Sequence, residues 1–97
     1  MKNIRALHES EKSVSAKPIF KSPFGGNATA IQLLKNEILK EHSSKTDAFL
    51  ICVEGKVKYQ DQDGNEYELN AGDYYDIKAN VKHWLEAFVT SQLILIK

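Results

Sequence analysis

Short apolar runs separated by turn residues dominate the chain from residue 18 onward. Lys56–Gln60 alternates polar and apolar side chains, which is typical of a strand with one face in solvent. Phe49–Val53 is apolar throughout, and its length and its Ile and Val content predict a strand buried on both faces. Asp63-Gly64 predicts a hairpin turn, because Gly adopts the positive φ that a tight turn requires.

The whole pattern predicts about eight strands, of which the first lies around Ile19–Lys21. Strands at this close spacing favour an all-β sandwich or barrel over alternating strands and helices. We expect residues 1–17 to form a polar N-terminal arm, either a short helix or a mobile segment, in which His8 lies at the solvated surface. Residues 18–97 then form the barrel domain. The predicted interior consists of Leu50, Cys52, Val57, Tyr59, Leu69, Ile77, Leu85 and Leu95.

Composition narrows the classes of function. A chain of 97 residues forms one domain, and its 13 basic and 13 acidic residues give a net charge of zero. No excess charge therefore favours nucleic acid or an anionic membrane as a partner. Met1–Lys17 contains no apolar leader region and no stretch is long enough to span a bilayer, which predicts a cytoplasmic protein. The lone Cys52 excludes an internal disulfide.

Two spaced motifs carry the candidate chemistry. The pattern G-x5-H-x-H-x3,4-E-x6-G, aligned on Gly55, is matched by His42 and by Gly55 itself. Asn36, Ser44 and Ala48 occupy the positions of the first Gly, the second His and the Glu.

The second pattern is G-x5-P-x-G-x2-H-x3-N. Gly72 and His83 match it, while Lys78, Asn80 and Ala87 replace Pro, Gly and Asn. Asn80 suits a Gly position because Asn tolerates left-handed backbone geometry. The two motifs in this order resemble those of the cupin superfamily over about half of the chain. The resemblance implies an all-β double-stranded β-helix, or jelly-roll barrel.

The resemblance also implies a metal site made of three histidines and one glutamate inside the barrel. Of these ligands the chain retains His42 and His83, and Ser44 and Ala48 remove the other two. Two imidazoles bind a divalent ion poorly, so we expect no cofactor. Asp47, beside the position of the glutamate, leaves the alternative of a weak divalent transition-metal site formed with His42 and His83.

The barrel interior is also the predicted site for an organic ligand. The candidate ligand-binding residues are His42, Ser44, Ala48, Tyr59, Tyr75 and His83. Three functions stay open. The first is a non-catalytic small-molecule-binding or accessory module, and the second is a metal-dependent dioxygenase or isomerase with a reduced ligand set. The third is a metal-free isomerase that uses His and Tyr as acid and base.

Outward-facing apolar residues predict self-association. If His83 points into the barrel, Trp84 and Phe88 point out of it, because side chains alternate along a strand. Large apolar side chains on an outer face are typical of an interface. Together with Phe49–Val53 they predict a homodimer.

Overall fold

The computed structural model describes all residues from 1 to 97. The chain forms nine strands and a single 3-10 turn at Arg5–Leu7, and none of its helical structure is long enough to cross a membrane. The strands are β1 (Val14–Lys21), β2 (Asn27–Leu33), β3 (Ile38–His42), β4 (Ala48–Glu54), β5 (Lys56–Asp61), β6 (Glu66–Asn70), β7 (Tyr74–Ile77), β8 (His83–Ala87) and β9 (Ser91–Ile96).

The strands form two antiparallel sheets that enclose one core. The five-stranded sheet has the order β1-β2-β9-β4-β7, and the four-stranded sheet has the order β3-β8-β5-β6. Strands that follow one another along the chain mostly lie in opposite sheets, so the chain winds around the core as a double-stranded β-helix. The predicted all-β jelly-roll barrel is confirmed.

Twelve buried apolar residues fill the space between the sheets. Seven of the eight predicted interior residues belong to this core, and Leu95 is partly buried against it. Leu33 and Leu93 are completely buried but were not predicted. Each lies in a run with an apolar neighbour, where the sequence does not show which side chain faces inward.

Four turn positions of the two motifs have left-handed backbone conformations. The φ angles are 68° at Asn36, 95° at Gly55, 92° at Gly72 and 64° at Asn80. Asparagine thus replaces two motif glycines while keeping the backbone geometry, as predicted for Asn80. At Gly55 there is a second constraint, because an added Cβ would overlap the side chain of Ser91.

The first strand begins earlier than the sequence predicts. β1 starts at Val14, inside the segment 1–17 that was expected to be an arm, and residues from Val14 onward pair with β2. Val14 packs against the core and Ser15 is completely buried. Because the side chains of Ser15–Lys17 are small or polar, this segment lacks the alternation of apolar and polar residues that predicts a strand.

The expectation of a solvated His8 is wrong. Its Nδ1 lies 2.6 Å from Oγ of Ser15, and burial lowers the pKa of the imidazole. Beside it, Nε2 of Gln32 donates a hydrogen bond to the carbonyl of Glu9 at 3.2 Å. The residues before β1 therefore lie against the outer face of the five-stranded sheet, where Ser15 and Gln32 point.

Phe49–Val53 is not buried on both faces, which corrects the sequence interpretation. Leu50 and Cys52 point into the core, whereas Phe49 and Ile51 are half-buried and Val53 is 43% exposed. No second layer of the chain covers this part of the outer face, so the run alternates in burial although it does not alternate in polarity.

Candidate functional site

Polar side chains gather inside one end of the barrel. His42 ends β3, His83 begins β8 and Asp61 ends β5. His83 pairs across the sheet with both His42 and Asp61. It shares the inner face of β8 with the buried Leu85 and Ala87, so the predicted inward orientation of His83 is found.

His42 and His83 present one free nitrogen each. Their ring centroids are 4.1 Å apart, with the rings tilted by 60°. Nδ1 of His42 lies 3.0 Å from the carbonyl oxygen of Lys40, and Nδ1 of His83 lies 3.1 Å from that of Val81. A carbonyl oxygen only accepts, so in each neutral ring Nδ1 carries the proton and Nε2 keeps a lone pair. Neither Nε2 has a hydrogen-bond partner within the chain.

The surroundings keep His83 neutral. Burial lowers its pKa, the hydrogen bond to Val81 opposes this effect, and the neighbouring His42 lowers the pKa further. The net result is a pKa below the usual value. At neutral pH His83 therefore accepts a hydrogen bond or a proton at Nε2.

Three tyrosines form a wall beside the histidines. The ring of Tyr59 lies 5.9 Å from that of His83 and 4.7 Å from that of Tyr75, which in turn lies 5.1 Å from Tyr67. Tyr67 and Tyr75 also border an opening of about 330 Å³ between β6 and β7. Burial and the hydrogen bond to Asp61 raise the pKa of Tyr59 far above its usual value, so its phenol stays protonated.

Asp61 is a buried carboxylate that anchors this wall. It accepts hydrogen bonds from Tyr59 Oη at 2.8 Å, from the Asp63 amide at 3.0 Å, and from the amide and side chain of Asn65 at 3.1 Å. Burial by itself raises the pKa of Asp61, but these hydrogen bonds outweigh it and hold the pKa below its usual value. Sequence reasoning missed Asp61, although its position four residues after Val57 and two after Tyr59 places it on the inner face of β5.

The remaining predicted residues lie elsewhere. Ser44 Oγ accepts a hydrogen bond from the Thr46 amide at 3.3 Å, and Asp47 accepts one from the Ala79 amide at 2.8 Å, so both side chains bond within the loops. Ala48 points inward, but it is buried within the apolar core and does not line the candidate site. The structure thus brings together four of the predicted residues, which are His42, His83, Tyr59 and Tyr75.

The donor set does not fit the metal site that the motifs imply. No group of three or more His, Cys, Asp or Glu side chains is arranged to hold a metal ion. His42 and His83 could supply two imidazole ligands, whereas Ala48 carries no donor and Asp47 is held by a backbone amide. Transition metals in proteins are usually bound by at least three protein ligands.

The barrel also opens to solvent beside His42. A cleft of about 520 Å³ lies between the inner faces of β1, β2 and β9 and the edge strand β3. Its walls include Val14, Ile31, Leu39 and Leu95. β1 and β3 are edge strands that pair only within their own sheets, so no backbone hydrogen bonds close this side. His42 lines the cleft, so a small molecule that enters it can reach this imidazole.

Fold and site together define a jelly-roll barrel with an accessible, histidine-bearing interior. A model of the Cupin domain family matches residues 31–95, which is more than half of the chain. The chain belongs to this family.

Several solved structures share the fold. A cupin superfamily protein from Desulfitobacterium hafniense is 13% identical, with a TM-score of 0.85 over 97% of this chain and 84% of that one. The conserved-barrel protein from Leptotrichia buccalis is 23% identical, with a TM-score of 0.84, and this chain covers 46% of it with 99% of its own length. KdgF from Halomonas sp. is 18% identical, with a TM-score of 0.79 over 92% of this chain and 82% of that one. No curated protein sequence matches this chain.

Proposed function

We propose that this chain is a non-catalytic, small-molecule-binding cupin. Hydroxyl or amine groups of an organic ligand donate to Nε2 of His42 and of His83, and the apolar part of the ligand contacts the apolar walls of the cleft beside His42, which include Ile31, Leu39 and Leu95. The observation that carries the proposal is the hydrogen bonding of both imidazoles, whose Nδ1 atoms lie within hydrogen-bond distance of backbone carbonyls and whose Nε2 atoms have no partner in the chain. Pockets that orient a ligand with a few polar groups on mostly apolar walls are typical of binding sites.

Removal of the imidazole nitrogens tests this proposal. A fragment library is screened by saturation-transfer NMR against the wild type and the variants His42→Phe and His83→Phe, which keep an aromatic ring. We expect fragments with hydroxyl or amine donors to bind about fivefold more weakly for each hydrogen bond lost. His8→Phe, on the outer face of the other sheet, is the matched control. Equal binding to all four proteins contradicts the proposal.

We further propose that the site holds no transition metal tightly. Two imidazoles without an inward carboxylate leave most of a zinc coordination sphere to solvent. Calorimetric titration of zinc into chelator-stripped protein should therefore show no stoichiometric binding at sub-micromolar metal. Stoichiometric binding in that range, lost in His42→Phe, contradicts this expectation and favours a metal-dependent enzyme.

Proton transfer is the second candidate function. It is favoured by the lowered pKa of His83, whose Nε2 is unprotonated and free at neutral pH. In D2O, a carbonyl compound bound there would exchange its α-hydrogen for deuterium. Exchange catalysed by the wild type and absent from His83→Phe marks the chain as an enzyme, whereas binding without exchange supports the non-catalytic function.

A further inference from the structure

The cleft beside His42 has the size and the walls of a small-molecule site. Its volume of about 520 Å³ lies within the range of about 300–1,000 Å³ typical of ligand pockets. Six of its ten lining residues are apolar, which are Val14, Ala16, Ile31, Ile38, Leu39 and Leu95. The cleft can therefore remove an apolar ligand body from water.

The polar side chains of the cleft are cationic or neutral. Lys40, Lys97, Thr29 and His42 complete the lining, and no aspartate or glutamate belongs to it. Lys97 follows Leu95 by two residues and so continues the inner face of β9.

Neither lysine of the cleft forms an ion pair with an acidic side chain. Lys56, Lys58 and Lys82 each form an ion pair with a glutamate, but Lys40 and Lys97 form none. Two unpaired cations beside apolar walls attract an anion with an apolar body.

The geometry points to a specific class of ligand: an amphipathic carboxylic acid that also carries a hydroxyl group. This inference rests on the proposed small-molecule function and names its ligand class. The apolar body lies against Ile31, Leu39 and Leu95, the carboxylate pairs with Lys97, and the hydroxyl donates to Nε2 of His42. The three parts of the ligand thus match the three kinds of lining that the cleft offers.

Three compounds that differ by one group each test the assignment. The probes are 4-hydroxyphenylacetate, phenylacetate, which lacks the hydroxyl, and 4-hydroxyphenylacetamide, which lacks the charge. Dissociation constants are measured by NMR titration with the wild type, Lys97→Gln and His42→Phe. Lys58→Gln makes the same charge change on the outer face of the four-stranded sheet and is the control.

We expect 4-hydroxyphenylacetate to bind most tightly, and each of the other probes to bind about fivefold more weakly. Lys97→Gln should weaken both acids by about the same factor and leave the amide unchanged. His42→Phe should weaken the two hydroxyl compounds and leave phenylacetate unchanged. Lys58→Gln should change none of the three.

The possible failures are distinguishable. If the amide binds as tightly as the acid, or if Lys97→Gln has no effect while His42→Phe weakens binding, the ligand is not an anion and the proposed function stands. If Lys97→Gln weakens the acids but neither His42→Phe nor His83→Phe affects any probe, the ligand is an anion but the role of the histidines in the proposed function is wrong. If no probe binds at millimolar concentration, the ligand class is overturned, and the fragment screen decides the proposed function separately.

Discussion

At the scale of single residues, the fold holds two imidazoles in the neutral state. Burial lowers the pKa of both His83 and His8 below the ordinary value of 6.5. The unfolded chain therefore takes up protons in a pH range where the folded chain does not. Folding stability that is present at neutral pH must decrease as the pH falls below about 6.5, and the decrease ends at the folded-state pKa values.

This linkage gives a prediction for His83. The free energy of unfolding, measured by urea denaturation at several pH values from neutral to mildly acidic, should fall with pH in the wild type. His83→Phe should make the free energy of unfolding depend less steeply on pH, because one of the two neutral imidazoles is removed. His8→Phe should remove the contribution of the other imidazole. An unchanged slope in His83→Phe would show that the folded and unfolded chains protonate His83 over the same pH range, so that folding does not lower its pKa.

The sequence predicted which side chains lie inside the barrel at the candidate site only where motif spacing and strand parity agree. His42 and His83 lie on motif positions, and both are found inside the barrel. Asp61 was not predicted because it lies directly before a turn, where a carboxylate is usually solvated. Its burial depends on hydrogen bonds from the backbone of that turn. Ser44 and Asp47 were placed in the site by position alone, but their side chains bond within the loops.

At the scale of structural elements, the tight turns fix how the strands are paired. Gly55 and Gly72 have nearly the same φ, 95° and 92°, but different surroundings. A Cβ at Gly72 would meet nothing within 4 Å, whereas a Cβ at Gly55 would overlap Ser91. A substitution at Gly72 therefore introduces backbone strain alone, whereas one at Gly55 introduces both backbone strain and steric overlap.

A matched pair of alanine variants measures this difference. Gly72→Ala should cost about 1–2 kcal/mol of unfolding free energy, because only the left-handed backbone is strained. Gly55→Ala should lose a further 1–3 kcal/mol or so from overpacking against Ser91. Urea denaturation of both variants gives the comparison, and equal losses would show that the β4–β5 turn relaxes away from β9.

The strands were predictable where polarity alternates or a turn residue marks the end. β5 and β6 form the predicted hairpin, with Gly64 in the turn between them. The predicted β1 was too short because Ser15–Lys17 lacks alternating apolar side chains. These residues belong to the strand because they pair with β2, and this pairing cannot be read from the local sequence. The burial of β4 was overstated because an apolar run does not reveal whether a second layer covers its outer face.

At the scale of the whole molecule, one apolar surface has no cover within the chain. On the outer face of the five-stranded sheet, Ile51 pairs with Ile94 and with Tyr74, and Phe49 pairs with Ile96. Tyr74 is 63% and Ile96 45% exposed. A continuous apolar row of this kind is typical of an interface, and the predicted homodimer would bury it against a second copy.

The outer face of the four-stranded sheet is a poorer candidate. Nε1 of Trp84 donates a hydrogen bond to Gln60 at 3.1 Å, and the ammonium of Lys56 lies 5.4 Å from the ring centroid of Phe88. Both aromatic residues that motivated the prediction of a dimer therefore have partners within the chain.

The homodimer prediction is tested by charge substitution on each face. Light scattering should give the mass of a dimer for the wild type and of a monomer for Ile51→Lys, because a lysine in the middle of the apolar row must be desolvated on association. Phe88→Lys, on the other sheet, should stay dimeric. A monomeric wild type at high concentration contradicts the prediction, and dissociation by Phe88→Lys alone would move the interface to the four-stranded sheet.

Trp84 and the tyrosines of the barrel interior are chromophores in different parts of the molecule. It is the only tryptophan, and it lies on the outer face of β8 while Tyr59, Tyr67 and Tyr75 lie around the interior. A molecule that enters the barrel meets the phenol rings and is separated from the indole by the sheet itself. The fourth tyrosine, Tyr74, is 63% exposed on the outer face of the five-stranded sheet. In a Tyr74→Phe variant, tyrosine emission therefore reports on the inside of the barrel and tryptophan emission on the outside, so the two chromophores distinguish an occupied interior from a changed surface in one spectrum.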